Sequence, residues 1–169
     1  MRNQLQQIWN CSSWLKRYMH GSFELNMRLA GLSAKLDKSL KIWTPTRIRA
    51  CMAWMRSHSK TLDKDVVLYR GTSKASVMIE ADPDSLVTPK KNRCILSVTS
   101  SKAIAKEFAW PRGKGFVHSL KLAKACRVVD MEYDGAKVSR EKEALLLPGH
   151  QLELVLQKGH SLTWKVSWC

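Results

Sequence analysis

Between residues 61 and 169 short apolar and β-branched runs follow one another too closely for crossover helices to fit between them. That spacing restricts the chain to antiparallel or mixed sheets. Val66-Val67-Leu68-Tyr69-Arg70-Gly71, Ile95 to Thr99, Phe116 to Leu122 and Arg127 to Met131 each read as a strand. Leu145 to Leu147, Leu152 to Leu156 and Ser161 to Trp168 supply the last strands, the final one with Leu162, Trp164, Val166 and Trp168 on one face. Ser101 can cap a short helix running through Phe108, with Ile104, Ala105 and Phe108 as one face. Pro111 to Gly115 reads as a loop, and Asp134-Gly135 as a turn.

The first sixty residues have a different texture. Leu5, Ile8, Trp9, Trp14, Leu15, Tyr18 and Met19 recur at helical spacing in a segment that reaches about Ala30 and is interrupted near Gly21. A second helix is expected from Leu25 to Ile42, with Leu29, Leu32, Leu36 and Leu40 along one stripe. Thr44-Pro45 opens a third, Thr44 as N-cap and Pro45 at the first helical position, carrying Ile48, Met52 and Met55 toward a core. The expected organisation is a single α+β domain over residues 1–169. Its N-terminal helical layer, 1–60, packs on a mixed, mostly antiparallel two-sheet β core, 61–169, and the length suffices to bury a sizeable core.

Charge is unevenly spread. Residues 1–60 hold 11 Lys and Arg against 2 Asp and Glu, an excess of +9 within a net charge of +15. Such a balance favours encounter with nucleic acid, a nucleoprotein machine or an anionic substrate, and a solvated helical face is the plain alternative. Cys11, Cys51, Cys94, Cys126 and Cys169 include no Cys-x-x-Cys pair, and no histidine stands at ligand spacing from them. Reduced thiols and no metal are therefore expected. No apolar run approaches the ~18 residues of a spanning helix, and the first residues carry neither a long apolar stretch nor a cleavage site. These features predict a soluble cytoplasmic protein, without a membrane partner and monomeric.

The chemistry-bearing stretch runs from Ser139 to Gly149. It sets Glu141 and Glu143 at the mouth of an apolar run ended by Pro148-Gly149. If Glu143 begins that strand, Glu141 shares its face, because strand side chains repeat with period two. A surface Glu-Lys-Glu is the plain alternative. Two features upstream weigh against it: Arg70-Gly71 at the end of a strand, and Ser97-Val98-Thr99 followed by a short helix with Ala105 and Phe108. In this order the three resemble the mono-ADP-ribosyltransferases of the Arg-Ser-Glu class, which include bacterial binary toxins, vertebrate arginine-specific transferases and phage-encoded enzymes. The resemblance covers roughly residues 62–168. It departs in the middle, where the family usually shows Ser-Thr-Ser; Ser97 is kept, and Thr99 offers a hydroxyl on the same strand face.

The resemblance implies an ADP-ribosyltransferase-like fold and an enzyme that cleaves the nicotinamide–ribose bond of NAD, its substrate, and moves ADP-ribose to an arginine of a protein target. It implies Glu143 as the carboxylate facing an oxocarbenium-like sugar and Ser97 as the hydroxyl that orients it. Glu141 would position the acceptor guanidinium, which stays protonated with a pKa above ~12, and take up its proton. Arg70 would clamp the pyrophosphate and Gly71 would admit the nicotinamide amide close to the backbone. Thr99 and Arg112 complete the NAD contacts, and Tyr133 faces the substrate. Two other readings stay open: NAD hydrolysis by the same Glu143, and a basic nucleic-acid-binding protein without catalysis. The charge and the transferase reading also combine, in a target belonging to a nucleic-acid-containing machine that the protein contacts directly. A phage or bacterial effector acting in the cytoplasm suits the chain's size.

Overall fold

In a computed structural model, which describes residues 22–32, 42–73, 90–109, 115–130 and 143–168, the chain divides into two compact units, Met1–His58 and Ser59–Cys169. The described part of the first unit is helical. Helix α1 covers residues 22–29 and stops where Gly31 takes a φ of 78°, a conformation that side chains disfavour. The helix expected from Leu25 to Ile42 is corrected accordingly, because its leucine stripe runs across a left-handed glycine. Residues 33–41 and the expected helix before Gly21 lie outside the described residues.

Glu24 in the first turn of α1 is 2% exposed. Its carboxylate pairs with Arg28 Nε at 2.8 Å and accepts from the backbone N–H groups of Ile42 at 3.1 Å and Trp43 at 3.2 Å. A buried acid is tolerable only with such partners, and its place near a helix N-terminus adds a favourable dipole. It ties α1 to the residues that lead into α2, Pro45–Ser57. There Thr44 Oγ1 accepts from Arg47 N at 3.3 Å and Pro45 follows, as the sequence predicts. Cys51, Met52 and Met55 are buried, whereas Ile48 is only half-buried. Burial pushes the Cys51 thiol up to about 12, so it stays protonated and inert.

The second unit is built on strands β1 (Lys60–Thr61), β2 (Val66–Thr72), β3 (Lys90–Lys91), β4 (Leu96–Thr99), β5 (Phe116–Leu122), β6 (Arg127–Asp130), β7 (Glu143–Leu146), β8 (His150–Lys158) and β9 (Ser161–Trp168), with helix α3 over Lys102–Ala109. Their order is β1-β6-β7-β4-β2-β5-β9-β8-β3. Among the described residues β5–β9 is the parallel pair and the others are antiparallel, which makes this an α+β fold on a large mixed sheet. The two-residue strands β1 and β3 are too short to carry a periodic signal in the sequence. Expected strand Leu152 to Leu156 is longer than predicted, and a bulge between Leu154 and Leu156 leaves Val155 and Leu156 exposed.

All nine strands form one hydrogen-bonded series, but its halves meet only at the Cα pair Tyr69–Thr99 of β2 and β4. The two-sheet core expected from the sequence is compatible with these halves, which the pairing joins in one nine-stranded sheet. The halves turn to face each other: Cys126 Sγ, just before β6, donates to Val166 O of β9 at 3.5 Å, and Arg127 N donates to His150 Nε2 at 3.3 Å, although β6 and β8 stand near opposite ends of the strand order. Alternate residues of both halves, including Leu68, Val98, Leu120, Leu146, Leu162 and Trp164, fill the core between them.

His150 sits in this closure, fully buried, with Nδ1 donating to Leu147 O at 2.8 Å while Nε2 accepts from Arg127 N. Both bonds require the neutral ring. Burial holds its pKa below the usual imidazole value, against the raising effect of the Leu147 bond. The unfolded chain therefore binds the proton near pH 6.5 and the folded chain only at lower pH, so stability falls as pH drops below ~6.5, by at most ~1.4 kcal/mol per pH unit for this one proton. Thermal melts from pH 7.5 to 5.0 test this. His150→Gln should start less stable and lose less on acidification than the parent chain, and parallel pH curves would refute the assignment.

Candidate active site

The seam between β2 and β4 holds the residues the sequence singled out. On β7, Glu143 lies directly across from Thr99, which in turn pairs with Tyr69 on β2. Ser97 is two residues from Thr99 and shares its face, so it stands diagonal to Glu143, within reach of a long side chain. Ser97 Oγ donates to Glu143 Oε1 at 2.5 Å. The carboxylate is thus oriented by a hydroxyl on the neighbouring strand. Val98, between the two hydroxyl residues, is buried in the core on the other face.

Arg70 alternates away from Tyr69 and Gly71 along β2, yet it reaches the same space because the ladder has opened. Its Nη1 donates to the Ser97 carbonyl at 2.6 Å, a side chain standing in for a backbone ladder bond. His118, its cross-strand partner on β5, is held in one tautomer: Trp164 Nε1 can only donate, here to His118 Nδ1 at 3.0 Å. Nε2 therefore carries the proton and donates to Thr72 Oγ1 at 2.7 Å. The strand that bears Arg70 is anchored into the core just beyond it by this buried chain.

Helix α3 closes the other side. Ser101 accepts at its N-terminus, from Ile104 N to Oγ at 3.4 Å and from Ala105 N to the backbone oxygen at 3.1 Å. Thr99 Oγ1 accepts from Ser101 N at 3.1 Å, so this hydroxyl shapes the strand-to-helix turn. A Cβ on Gly71 would lie 1.9 Å from Ala105 O and 2.6 Å from Ala109 N. Gly115, on the following strand's approach, would strike Ala109 O at 1.4 Å. These glycines let the helix backbone lie directly on β2 and β5, a reason for Gly71 within the protein itself. Ala105 and Ala109 are the buried face of α3; Phe108, expected on one face with Ala105, is 53% exposed.

Phe108 and Ile104 instead face a cavity of about 210 Å³, whose strand side carries Tyr69, Arg70, Ser97 and Glu143. It combines a carboxylate, a guanidinium, hydroxyls and an exposed aromatic ring, a composition suited to a polar ligand with a planar ring. Arg70, Gly71, Ser97, Thr99 and Glu143 are brought together here. Glu141, Arg112 and Tyr133 lie outside the described residues. Tyr69, Ile104 and Phe108 were not anticipated as lining; the spacing of Ile104 and Phe108, one helical turn apart, was the available signal. Among the described residues no three of His, Cys, Asp and Glu gather as a metal site would require.

No family model matches the chain, and no curated protein matches it in sequence. Solved structures do resemble it. The ADP-ribosylating toxin component BECa of a binary enterotoxin of C. perfringens, with NADH, superimposes with a TM-score of 0.63 at 13% identity over 91% of this chain. The chain spans only 42% of that protein. A mutant of the eukaryotic mono-ADP-ribosyltransferase ART2.2 in complex with NAD gives 0.64 at 12% identity, covering 100% of this chain and 80% of that one. C3larvin, an ADP-ribosyltransferase toxin from Paenibacillus larvae, gives 0.57 at 15% identity, covering 94% and 86%. The fold is therefore the ADP-ribosyltransferase fold.

The packing of α3 on Gly71 yields a direct expectation. Gly71→Ala inserts a methyl group into helix backbone and should cost ~1–3 kcal/mol or more, beyond what an exposed Gly→Ala change does. Chemical denaturation should show a lowered midpoint with an unchanged slope. An unaltered midpoint would mean that α3 does not rest on this residue.

Proposed function

We propose that this protein is a mono-ADP-ribosyltransferase that takes NAD as substrate and transfers ADP-ribose to an arginine of a target protein. The observation that carries the reading is the Ser97 Oγ–Glu143 Oε1 bond of 2.5 Å, with Arg70 facing the same cavity, at the place where the ladder opens. Support comes also from the fold, shared with proteins crystallised with NAD and NADH.

NAD fits the donor set. At about 210 Å³ the cavity is smaller than the ~300–1,000 Å³ of pockets that enclose a whole drug-sized ligand, so it would take one end of the dinucleotide. The nicotinamide riboside end suits it: Phe108 offers a ring face to the pyridine and Glu143 a carboxylate to the ribose. Arg70, already holding the Ser97 carbonyl, would direct its remaining donors at the pyrophosphate, which a guanidinium matches with parallel N–H groups.

As the C–N bond to nicotinamide breaks, the sugar becomes cationic and neutral nicotinamide leaves. A carboxylate fixed beside that carbon lowers the barrier without having to reorient. Ser97 supplies the fixing, holding Oε1 so that Oε2 meets the ribose hydroxyl. Glu141 would hold the acceptor guanidinium and accept its proton as the new C–N bond forms, with Arg112 on the NAD side and Tyr133 on the target side. We place the protein in the cytoplasm, acting as a monomer on protein components of a nucleic-acid-containing machine, in the manner of a phage or bacterial effector; the net charge of +15 motivates that choice of target.

Incubation with NAD labelled in its adenylate, with and without a cell lysate, tests the reading. Label should appear on protein, and mass spectrometry should locate it on arginine; release of free ADP-ribose alone would establish hydrolysis instead. Glu143→Gln should lower transfer by ~10²–10³-fold at unchanged thermal stability. Ser97→Ala should act mainly on kcat rather than on the KM for NAD, and Glu141→Gln should remove arginine modification while sparing NAD cleavage. Full activity of Glu143→Gln would overturn the assignment.

A further inference from the structure

Helix α2 carries an exposed basic face that the cavity chemistry does not use. From residue 38 to residue 62 the chain has no acidic residue, and Arg47, Arg49 and Arg56 are all exposed. Glu24, the acid described in this unit, is 2% exposed and engaged by Arg28 and two backbone N–H groups, so it offers no negative charge to the surface. Among the described residues of this unit, the solvent side of the helix carries arginines and no exposed acid; Arg47 Nη1 donates to Ile42 O at 2.9 Å and Arg49 Nη2 to Thr46 Oγ1 at 3.5 Å, neutral partners that leave the positive charge at the surface.

The residues are also ordered. Arg49 and Arg56 are seven apart and lie on one stripe, about 10 Å from each other along the axis. Arg47 and Trp54 form a second stripe, continued by His58 one turn on. Trp54 and His58 stack with ring centroids 4.5 Å apart and planes inclined by 26°. Thr46, Ala50 and Ala53, between the stripes, are small and exposed, and leave the approach open. Trp43 and Trp164, by contrast, are buried and belong to cores.

We propose that this face of α2 binds a single-stranded nucleic acid, its phosphates between Arg49 and Arg56 on one side and Arg47 on the other, and an unpaired base against the half-exposed Trp54. The chemistry selects this partner over others. Arginine matches phosphate oxygens, and a half-exposed aromatic pair offers a stacking surface that a duplex, with its base faces covered, cannot use. An anionic membrane suits the face less well. Met52 and Met55 point into the core, and Thr46, Ala50 and Ala53 between the stripes are too small to insert among acyl chains, which leaves Trp54 without the apolar neighbours a membrane-inserting face needs. An acidic protein segment would meet the charge and leave the aromatic pair idle.

Fluorescence anisotropy of the full chain with a labelled 20-nucleotide RNA of mixed sequence tests the proposal. The parent should bind RNA and DNA of that sequence alike and the matching duplex more weakly, with log K falling linearly in log[KCl]. The variant Arg47→Gln/Arg49→Gln/Arg56→Gln should bind at least ~10-fold more weakly, its salt slope reduced by about 2 at ~0.7 per lost phosphate contact. Lysine at the same three positions should restore most of the slope, and Trp54→Ala should weaken binding without changing it. Glu143→Gln should bind as the parent does, so this result stands apart from the fate of the transferase reading. Equal affinity and slope in the parent and the glutamine variant would overturn the proposal, as would stronger binding to phosphatidylserine vesicles or polyglutamate than to RNA.

Discussion

The candidate site exists because β2 and β4 stop pairing after Tyr69–Thr99. In a continuous antiparallel ladder, Arg70 would project from one face of the sheet and Ser97, Thr99 and Glu143 from the other. Opening the ladder lets both faces look into one space. The opened backbone still needs partners, since an unsatisfied carbonyl away from water costs ~1–3 kcal/mol, and the Arg70 guanidinium supplies one for Ser97 O at 2.6 Å. The Arg70 side chain therefore adds a bond between the two half-sheets beside the Tyr69–Thr99 pair, where the ladder opens, while Ser97 turns its hydroxyl to Glu143 on the next strand.

Helix α3 makes that opening a cavity. A helix normally stands off a sheet by the length of its side chains, but Gly71 and Gly115 beneath, with Ala105 and Ala109 above, bring backbone against backbone. The close approach sets Ile104 and Phe108 over the seam, where larger residues at the contact would have lifted them away. The turn into α3 is shared between Thr99 and Ser101 hydroxyls, so the residue that faces Glu143 across the ladder also places the helix. Displacing the helix would therefore disturb the strand carrying Ser97.

Charge and burial separate the two units by role. In the first, one buried acid, Glu24, joins α1 to the start of α2 and leaves the outward face to arginines. In the second, two fully buried histidines are neutral and closely partnered: His118 between Trp164 and Thr72, His150 between Leu147 and Arg127. Each ring is held in one tautomer by a partner that can only give or only accept. Such groups define a single packing arrangement, because any slip in register leaves a donor or acceptor unpaired in the core.

Local signals were readable directly. Short β-branched runs at close spacing predicted a strand-rich core, Thr44-Pro45 the start of α2, and Ser101 the start of α3, because capping and alternation involve residues a few positions apart. The stop of α1 at Gly31 was missed, since a stripe of leucines reports periodicity and not the backbone conformation of the glycine among them. Ile104, Ala105 and Phe108 were placed on one face, yet Ala105 is buried and Phe108 exposed, because helical spacing identifies a face without saying which neighbour covers it. Arg70, Ser97 and Glu143 were visible as residue types in order, but 27 positions separate Arg70 from Ser97 and 46 separate Ser97 from Glu143. Only strand order and register, which are long-range choices made by the whole core, decide that such residues meet, that the ladder opens between them, and that a helix resting on two glycines covers the gap.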